Sequence, residues 1–120
     1  MYCGILFFPA PESIHRILHK KFNVSDLHPY RVENEAHSYE LIHKMYGHHV
    51  WLRDEKIKKI VANRFPSFPK TIYFFTFSHY PLEYVIRIKN KIRSEWGKKY
   101  FIHITDNALE SNILLSFLRS

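Results

Sequence analysis

The chain has 120 residues, a formal net charge of +7, and a composition that is 46% hydrophobic and 17% aromatic. This composition excludes a disordered chain, and the length suffices for one domain with its own hydrophobic core. The positive charge favours polyanionic partners, namely nucleotides, nucleic acids or acidic protein surfaces. Because the basic residues are spread along the chain, the alternative is that they are the solvated faces of several helices.

Cys3 is the only cysteine, which excludes an intrachain disulfide and favours a reducing, cytoplasmic location. It lies in an apolar run, so we expect a buried and unreactive thiol. The opening MYCGILFFPAP has no basic leader region, and its apolar run is far shorter than the roughly 20 residues of a membrane-spanning helix. The sequence therefore predicts a soluble protein without a membrane partner.

The first third of the chain contains one clear strand and one clear helix. Residues 2–8 are continuously apolar, which predicts a buried strand. After Pro11, a residue suited to a first helical turn, an apolar stripe predicts a helix that ends near Phe22. Residues 23–36 are the least periodic, and we expect a surface loop there with a short edge strand at residues 30–32.

The middle of the chain predicts two helices with a short strand between them. Residues 38–46 predict a short helix that ends at Gly47, and residues 48–52 predict a short strand. A second helix is expected from Asp54, with Arg64 on its exposed face together with lysines.

The last third predicts a strand, a helix, a strand and a final helix. Residues 71–77 indicate a central strand covered on both faces, and Pro81 and Gly97 bracket the following helix. A strand at residues 100–105 follows, and a crossover of this length is usually parallel and right-handed. Residues 1–120 are therefore predicted to be a single α/β domain, with a small, mostly parallel sheet of three to five strands covered by helices.

A parallel sheet would bring several polar side chains together at one edge, because ligands bind outside the carboxyl ends of parallel strands. His79 and Asp106 follow two predicted strands. A histidine oriented by a carboxylate suits general acid–base catalysis, so these two residues are the candidate catalytic pair. Adjacent strands would allow them to hydrogen-bond, whereas one inserted strand would place them roughly 10 Å apart, on either side of one ligand.

Further side chains are candidate ligand contacts. Ser13, with free N–H groups at a helix start, is a candidate anion contact, although its turn contains no glycine. Ser78 and Asn107 neighbour the catalytic candidates, and Arg87 and Lys91 would add electrostatic support. The structural alternatives are that Asp106 only caps the final helix, in competition with Asn107, which has capping-box spacing to Glu110, and that His79 only stabilises its turn.

The nine histidines raise the question of a metal site. His15 and His19 have the i, i+4 spacing of two ligands on one helix face. The chain nevertheless lacks any established metal-binding motif, so we predict neither a metal nor another cofactor. His103 lies inside a predicted strand, where a hydrogen-bonded histidine of the core or of a sheet face is expected.

These observations predict a basic α/β protein that binds a phosphate-bearing ligand, a nucleotide or nucleic acid, at the carboxyl edge of its sheet. If it is an enzyme, hydrolysis or phosphoryl or nucleotidyl transfer is the expected class. One alternative is a non-catalytic nucleic-acid-binding module, although no RRM, KH, zinc-finger or helix-turn-helix pattern is present. The other is an interaction or assembly subunit that forms homo-oligomers through its apolar final helix.

Overall fold

The computed structural model describes residues 1–46, 53–78 and 80–120. The strands are β1 (Tyr2–Leu6), β2 (His28–Val32), β3 (Lys70–Phe77) and β4 (Ile102–Ile104). The helices are α1 (Glu12–Phe22), α2 (Glu35–Tyr46), α3 (Asp54–Arg64), α4 (Leu82–Trp96) and α5 (Ala108–Arg119). A single 3-10 turn, Lys99–Phe101, precedes β4. The predicted strand at 48–52 and the predicted helix end at Gly47 lie outside the described residues.

The four strands form one sheet in the order β2-β3-β1-β4, and every neighbouring pair is antiparallel. In the register of the sheet, Gly4 of β1 pairs with Phe75 on one side and with Ile104 on the other. The central position predicted for β3 and the edge position predicted for the strand around Tyr30 are both confirmed.

The prediction of a mostly parallel sheet is wrong, although the broader α/β class is confirmed. Helix α4 does return the chain so that β3 and β4 run in the same direction, but β1 lies between them and is antiparallel to both. This is the split arrangement of a β-α-β unit. Helices cover both faces of the sheet, so its antiparallel strands are apolar on both sides, a pattern that is more typical of parallel sheets.

Helices α1 and α4 cover one face of the sheet, where the buried stripe of α1 meets Val85, Ile88 and Ile92 of α4. Phe75 and Phe77 of β3 point into this layer. The Phe75 ring occupies the space directly over Gly4, and a Cβ atom added at Gly4 would overlap that ring. Glycine is therefore required in this strand by the packing of its partner.

Helices α2, α3 and α5 cover the opposite face. Cys3 and Ile5 of β1 point into this second layer, and both are fully buried. Burial raises the pKa of the Cys3 thiol to about 12, so the predicted buried thiol is confirmed. None of the helices within the described residues combines the length and the apolarity needed to cross a bilayer.

The ends of two helices carry the capping residues that the sequence predicts. Helix α4 ends at Gly97, which adopts the left-handed conformation with φ of 79°. Helix α5 begins after Asn107, whose side-chain oxygen accepts a hydrogen bond of 2.9 Å from the backbone N–H of Glu110. The Glu110 carboxylate in turn accepts the backbone N–H of Asp106 at 2.7 Å, which completes a reciprocal cap. These caps fix where β4 gives way to α5.

Candidate anion-binding site

The antiparallel sheet separates the side chains that the sequence predicted would share one edge. The carboxyl end of β1 lies at the opposite edge of the sheet from the carboxyl ends of β3 and β4. Ser13, in the first turn of α1 after β1, therefore does not join Ser78 and Asp106. The expectation that three strand exits meet at one carboxyl edge is wrong, because it assumed parallel strands.

Asp106 and Ser78 do follow strands that end at the same edge, with β1 between them. The Asp106 carboxylate accepts a hydrogen bond of 3.1 Å from the ammonium group of Lys89, which forms an ion pair with it. Asn107, not Asp106, provides the side-chain cap of α5. His79 lies outside the described residues, so its catalytic pairing with Asp106 stays a prediction.

The other predicted ligand contacts lie near α4 and the exit of β3. Ser78 lines a cavity of about 320 Å³ together with Asn23 and Tyr80. The guanidinium group of Arg87 lies 5.3 Å from the centre of the Tyr84 ring. Lys91 is exposed on α4. None of these contacts involves Asp106, whose ion-pair partner is Lys89.

A different group of polar side chains meets around the edge strand β4. Tyr46 is the last residue of α2, Arg64 is the last residue of α3, Arg93 lies in the last turn of α4, and His103 is the middle residue of β4. Because β4 has no neighbour on its outer side within the described sheet, helices from both faces can reach around it. We refer to these four residues as the arginine cluster.

Hydrogen bonds connect three members of the arginine cluster in series. The Arg64 side chain hydrogen-bonds the Tyr46 hydroxyl, which lies 3.0 Å from Nδ1 of His103. A guanidinium group only donates hydrogen bonds, so the Tyr46 oxygen accepts from Arg64. The Tyr46 hydroxyl proton is then free to point toward Nδ1 of His103. Tyr46 therefore holds both Arg64 and the His103 ring in place.

The electrostatic environment of the cluster is strongly positive. Burial lowers the pKa of Arg64, and the nearby charge of Arg93 lowers it further, although Tyr46 opposes both effects. Burial raises the pKa of Tyr46, and the two arginines partly offset that increase. Because arginine keeps its proton in proteins, the positive charge remains in a poorly hydrated place.

The two arginines are incompletely compensated by the part of the chain that the structure describes. The Nε atoms of Arg64 and Arg93 are buried and have no hydrogen-bond partner there. None of the ion pairs found among the described residues brings a carboxylate to either guanidinium group. Among the described residues, the arrangement therefore presents two positive groups and two buried donors without a matching carboxylate.

A third cation lies next to Arg64. The ammonium group of Lys70 donates a hydrogen bond of 2.8 Å to the backbone oxygen of Arg64 and lies 3.5 Å from the centre of the Phe8 ring. The Arg64 guanidinium itself lies 5.4 Å from the centre of the Phe7 ring. Burial lowers the pKa of Lys70 to about 8. Aromatic rings thus substitute for carboxylates as neighbours of these cations.

The sequence predicted only part of this site. His103 is buried and hydrogen-bonded, as expected. Arg64 was expected on an exposed helix face, but both Arg64 and Arg93 are half-buried. The signal available in the sequence was their position, because Arg64 directly precedes the buried Phe65 and Arg93 directly follows the buried Ile92. Residues at the boundary of an apolar stripe commonly bury their stems.

The histidines that the sequence offered as metal ligands do not form a metal site within the described residues. In residues 1–46, 53–78 and 80–120, no three His, Cys, Asp or Glu side chains are arranged to hold a metal ion. His19 instead lies with Nδ1 at 3.4 Å from the backbone oxygen of Val24.

Comparisons of the chain with family models, curated proteins and solved structures found no match. The arginine cluster is therefore the feature from which we infer a function.

Proposed function

We propose that this protein binds a phosphate-bearing ligand, a nucleotide or nucleic acid, through the arginine cluster. The observation that supports this proposal is the meeting of Arg64 and Arg93 beside Tyr46, with buried Nε donors and no described carboxylate partner. Guanidinium groups match phosphate oxygens in shape and charge and can donate two parallel hydrogen bonds to them.

Charge repulsion gives the cluster a physical reason to bind an anion. Burial and the nearby charge of Arg93 both destabilise the charged form of Arg64. An anion placed between the two guanidinium groups replaces this repulsion with two attractions. The net charge of +7 also draws anions toward the molecule over a longer range.

Tyr46 and His103 contribute to the site by holding the Arg64 guanidinium group in position. Tyr46 orients the Arg64 guanidinium through their hydrogen bond, and the Tyr46 ring packs edge-on against His103 at 4.9 Å between ring centres. A donor that is held in place loses less side-chain entropy when a ligand binds. We therefore propose that the arginine cluster binds the anion, and we assign it no catalytic role.

Binding of pyrophosphate, measured by isothermal titration calorimetry, tests the proposal directly. The variant Arg93→Met should bind at least about tenfold more weakly, because a charge-assisted hydrogen bond is lost. Arg16→Met is the matched control, since Arg16 is an exposed residue of α1 and its replacement removes the same charge. The control should bind within about twofold of the wild type, as expected for a screened surface charge.

Two results would contradict the proposal. Absence of pyrophosphate binding by the wild type at low salt would exclude a phosphate site. Equal loss of affinity in the Arg93 and Arg16 variants would show that net charge alone attracts the anion. A circular-dichroism melt of each variant establishes that it is folded before its affinity is compared.

A further inference from the structure

A column of aromatic side chains lies on α4 and the segment before it. The Tyr80 and Tyr84 rings are stacked, with centres 5.3 Å apart and an angle of 16° between their planes. The Arg87 guanidinium lies 5.3 Å from the Tyr84 ring centre. We refer to Tyr80, Tyr84 and Arg87 as the tyrosine stack. Two rings and a guanidinium group together resemble the surfaces on which nucleic-acid bases stack.

Contacts from other elements hold the stack rigidly. The Tyr84 hydroxyl donates a hydrogen bond of 3.0 Å to the backbone oxygen of Lys21, and the Tyr2 hydroxyl donates one of 3.1 Å to the backbone oxygen of Tyr80. Phe22 packs against both tyrosine rings with its centre 5.8 and 6.1 Å from theirs. A preorganised aromatic surface binds a base with little loss of side-chain entropy.

A cavity lies beside Tyr80 and has the composition that a base requires. Its volume is about 320 Å³, at the lower end of the roughly 300–1,000 Å³ typical of small-ligand sites. The half-buried Tyr80 ring, which packs against the buried Phe22 and Phe77 rings, supplies aromatic surface, whereas Asn23 and Ser78 supply polar groups that can hydrogen-bond a base edge. The cavity therefore offers both stacking and hydrogen-bonding partners.

Helix α4 connects this cavity to the arginine cluster. Tyr84, which stacks on Tyr80, and Arg93 are nine residues apart on α4, which corresponds to about 14 Å along the helix axis. Tyr84 contacts α1 through Lys21, whereas Arg93 faces Tyr46 and the β4 edge, so the two sites lie on different sides of α4. A helix with its side chains is about 10–12 Å wide, and one nucleotide cannot bridge both sites across it.

We propose that the ligand is a single-stranded nucleic acid, with one base in the cavity beside Tyr80 and a phosphate of the same strand at the arginine cluster. This inference rests on the proposed function, because the arginine cluster supplies its phosphate contact. A mononucleotide or a free phosphate can occupy only one of the two sites. A single strand can contact both the arginine cluster and the tyrosine stack, which lie on different sides of α4. Stacking is tolerant of sequence, so any base can take this place.

Fluorescence anisotropy with two labelled strands of equal length tests the inference. One is a single-stranded oligouridine of about 12 nucleotides, a length within the range of known single-strand binding sites. The other is a strand of the same length and the same sugar-phosphate backbone that carries no bases. The oligonucleotide should bind at least about fivefold more tightly than the abasic strand, because only it can stack. Tyr80→Leu and Tyr84→Leu should remove this difference, whereas Tyr84→Phe, which keeps the ring, should retain it.

The outcomes separate this inference from the proposed function. Equal binding of both strands by the wild type would overturn base stacking while leaving phosphate binding intact. Failure of both strands to bind would overturn this inference, whereas the proposed function is overturned only if pyrophosphate also fails to bind. A base-dependent difference that survives in both leucine variants would also overturn the inference, because the base would then be held elsewhere. The wild-type comparison needs no variant, so the test does not depend on the folding of any substituted chain.

Discussion

The hydroxyl of Tyr46 lies 3.0 Å from Nδ1 of His103, although the two residues are 57 positions apart in the chain. This contact joins the end of α2 to the edge strand β4, and the same hydroxyl receives a hydrogen bond from Arg64. One tyrosine oxygen thus links two helices and a strand. The position of Arg64 beside Arg93 depends on it, and so does the anion site that we propose.

Removing the Tyr46 hydroxyl tests this link. Tyr46→Phe should lower the free energy of unfolding by about 1–3 kcal/mol, because two buried polar groups lose their shared partner. Tyr39→Phe is the matched control in the same helix, since Tyr39 donates only to the exposed Glu35 carboxylate. The control should change stability by less than about 0.5 kcal/mol. Urea denaturation measures both, and equal effects would argue against a structural role of the Tyr46 hydroxyl.

Replacing Arg64 with an apolar residue should have opposite effects on stability and on binding. In anion-free buffer, Arg64→Met should be as stable as the wild type or more stable, because a well-packed apolar side chain often replaces a buried charge without loss. Pyrophosphate should raise the melting temperature of the wild type but not that of the variant. Thermal melts at constant ionic strength measure both quantities. A variant that is stabilised by pyrophosphate as strongly as the wild type would disprove the role of Arg64.

Gly4 should not tolerate even the smallest side chain. The Phe75 ring fills the space in which a Cβ atom would lie, so Gly4→Ala should lower the free energy of unfolding by about 1–3 kcal/mol or more. Adding Phe75→Leu should recover part of this loss, because the smaller side chain makes room for the methyl group. A double-mutant cycle in urea measures the coupling. Additive effects of the two substitutions would show that the ring is not the obstacle.

The buried ammonium group of Lys70 predicts a dependence of stability on pH. Its pKa is lowered by burial to about 8, from 10.5 in an unfolded chain. Below pH 8 both states bind the proton, and the unfavourable burial of the charge is fully present. As the pH rises from about 8 to 10.5, Lys70 loses its proton in the native state but keeps it in the unfolded chain. The free-energy cost of burying the charge is therefore progressively removed from the native state. The stability of the wild type should therefore rise with pH relative to that of Lys70→Met.

Urea denaturation of both proteins near pH 7 and near pH 10 measures this effect, and the comparison cancels groups that titrate equally in both. The Phe8 ring, 3.5 Å from the ammonium group, favours the charged form and reduces the size of the effect. A stability difference that is the same at both pH values would show that Lys70 is not buried as described.

The Cys3 thiol should be unreactive in the folded protein. Its side chain is fully buried and its pKa is about 12, so the thiolate that attacks alkylating reagents is almost absent near pH 8. Iodoacetamide should modify Cys3 only after urea unfolding, and mass spectrometry measures the modified fraction. Rapid modification of the native protein would contradict this burial.

The features that the sequence predicted correctly are those with local causes. The end of α4 at Gly97 follows from the conformational freedom of glycine, and the start of α5 follows from the spacing of Asn107 and Glu110. The central position of β3 follows from its continuous apolar run. Each of these signals lies within a few residues of the structure that it specifies.

The arginine cluster could not be predicted in this way. Arg64 and Arg93 belong to helices on opposite faces of the sheet, and their meeting depends on the absence of another strand beside β4 in the described sheet. The assumption of parallel strands instead directed attention to Ser13 and Asp106, which the antiparallel β1 separates. A continuous apolar run shows that both faces of a strand are covered, but it does not reveal the direction of the strand.

The sequence by itself determined the approximate positions of the described helices and strands, the basic character of the chain and the burial of Cys3, because periodicity, capping and composition act over short stretches; the strand predicted at residues 100–105 is shorter, since a 3-10 turn precedes β4. Only the tertiary structure decided the strand order, the antiparallel direction of β1 and the grouping of Tyr46, Arg64, Arg93 and His103. The physical reason is that strand pairing joins segments far apart in the chain, and the free energy that selects one pairing is distributed over the whole core.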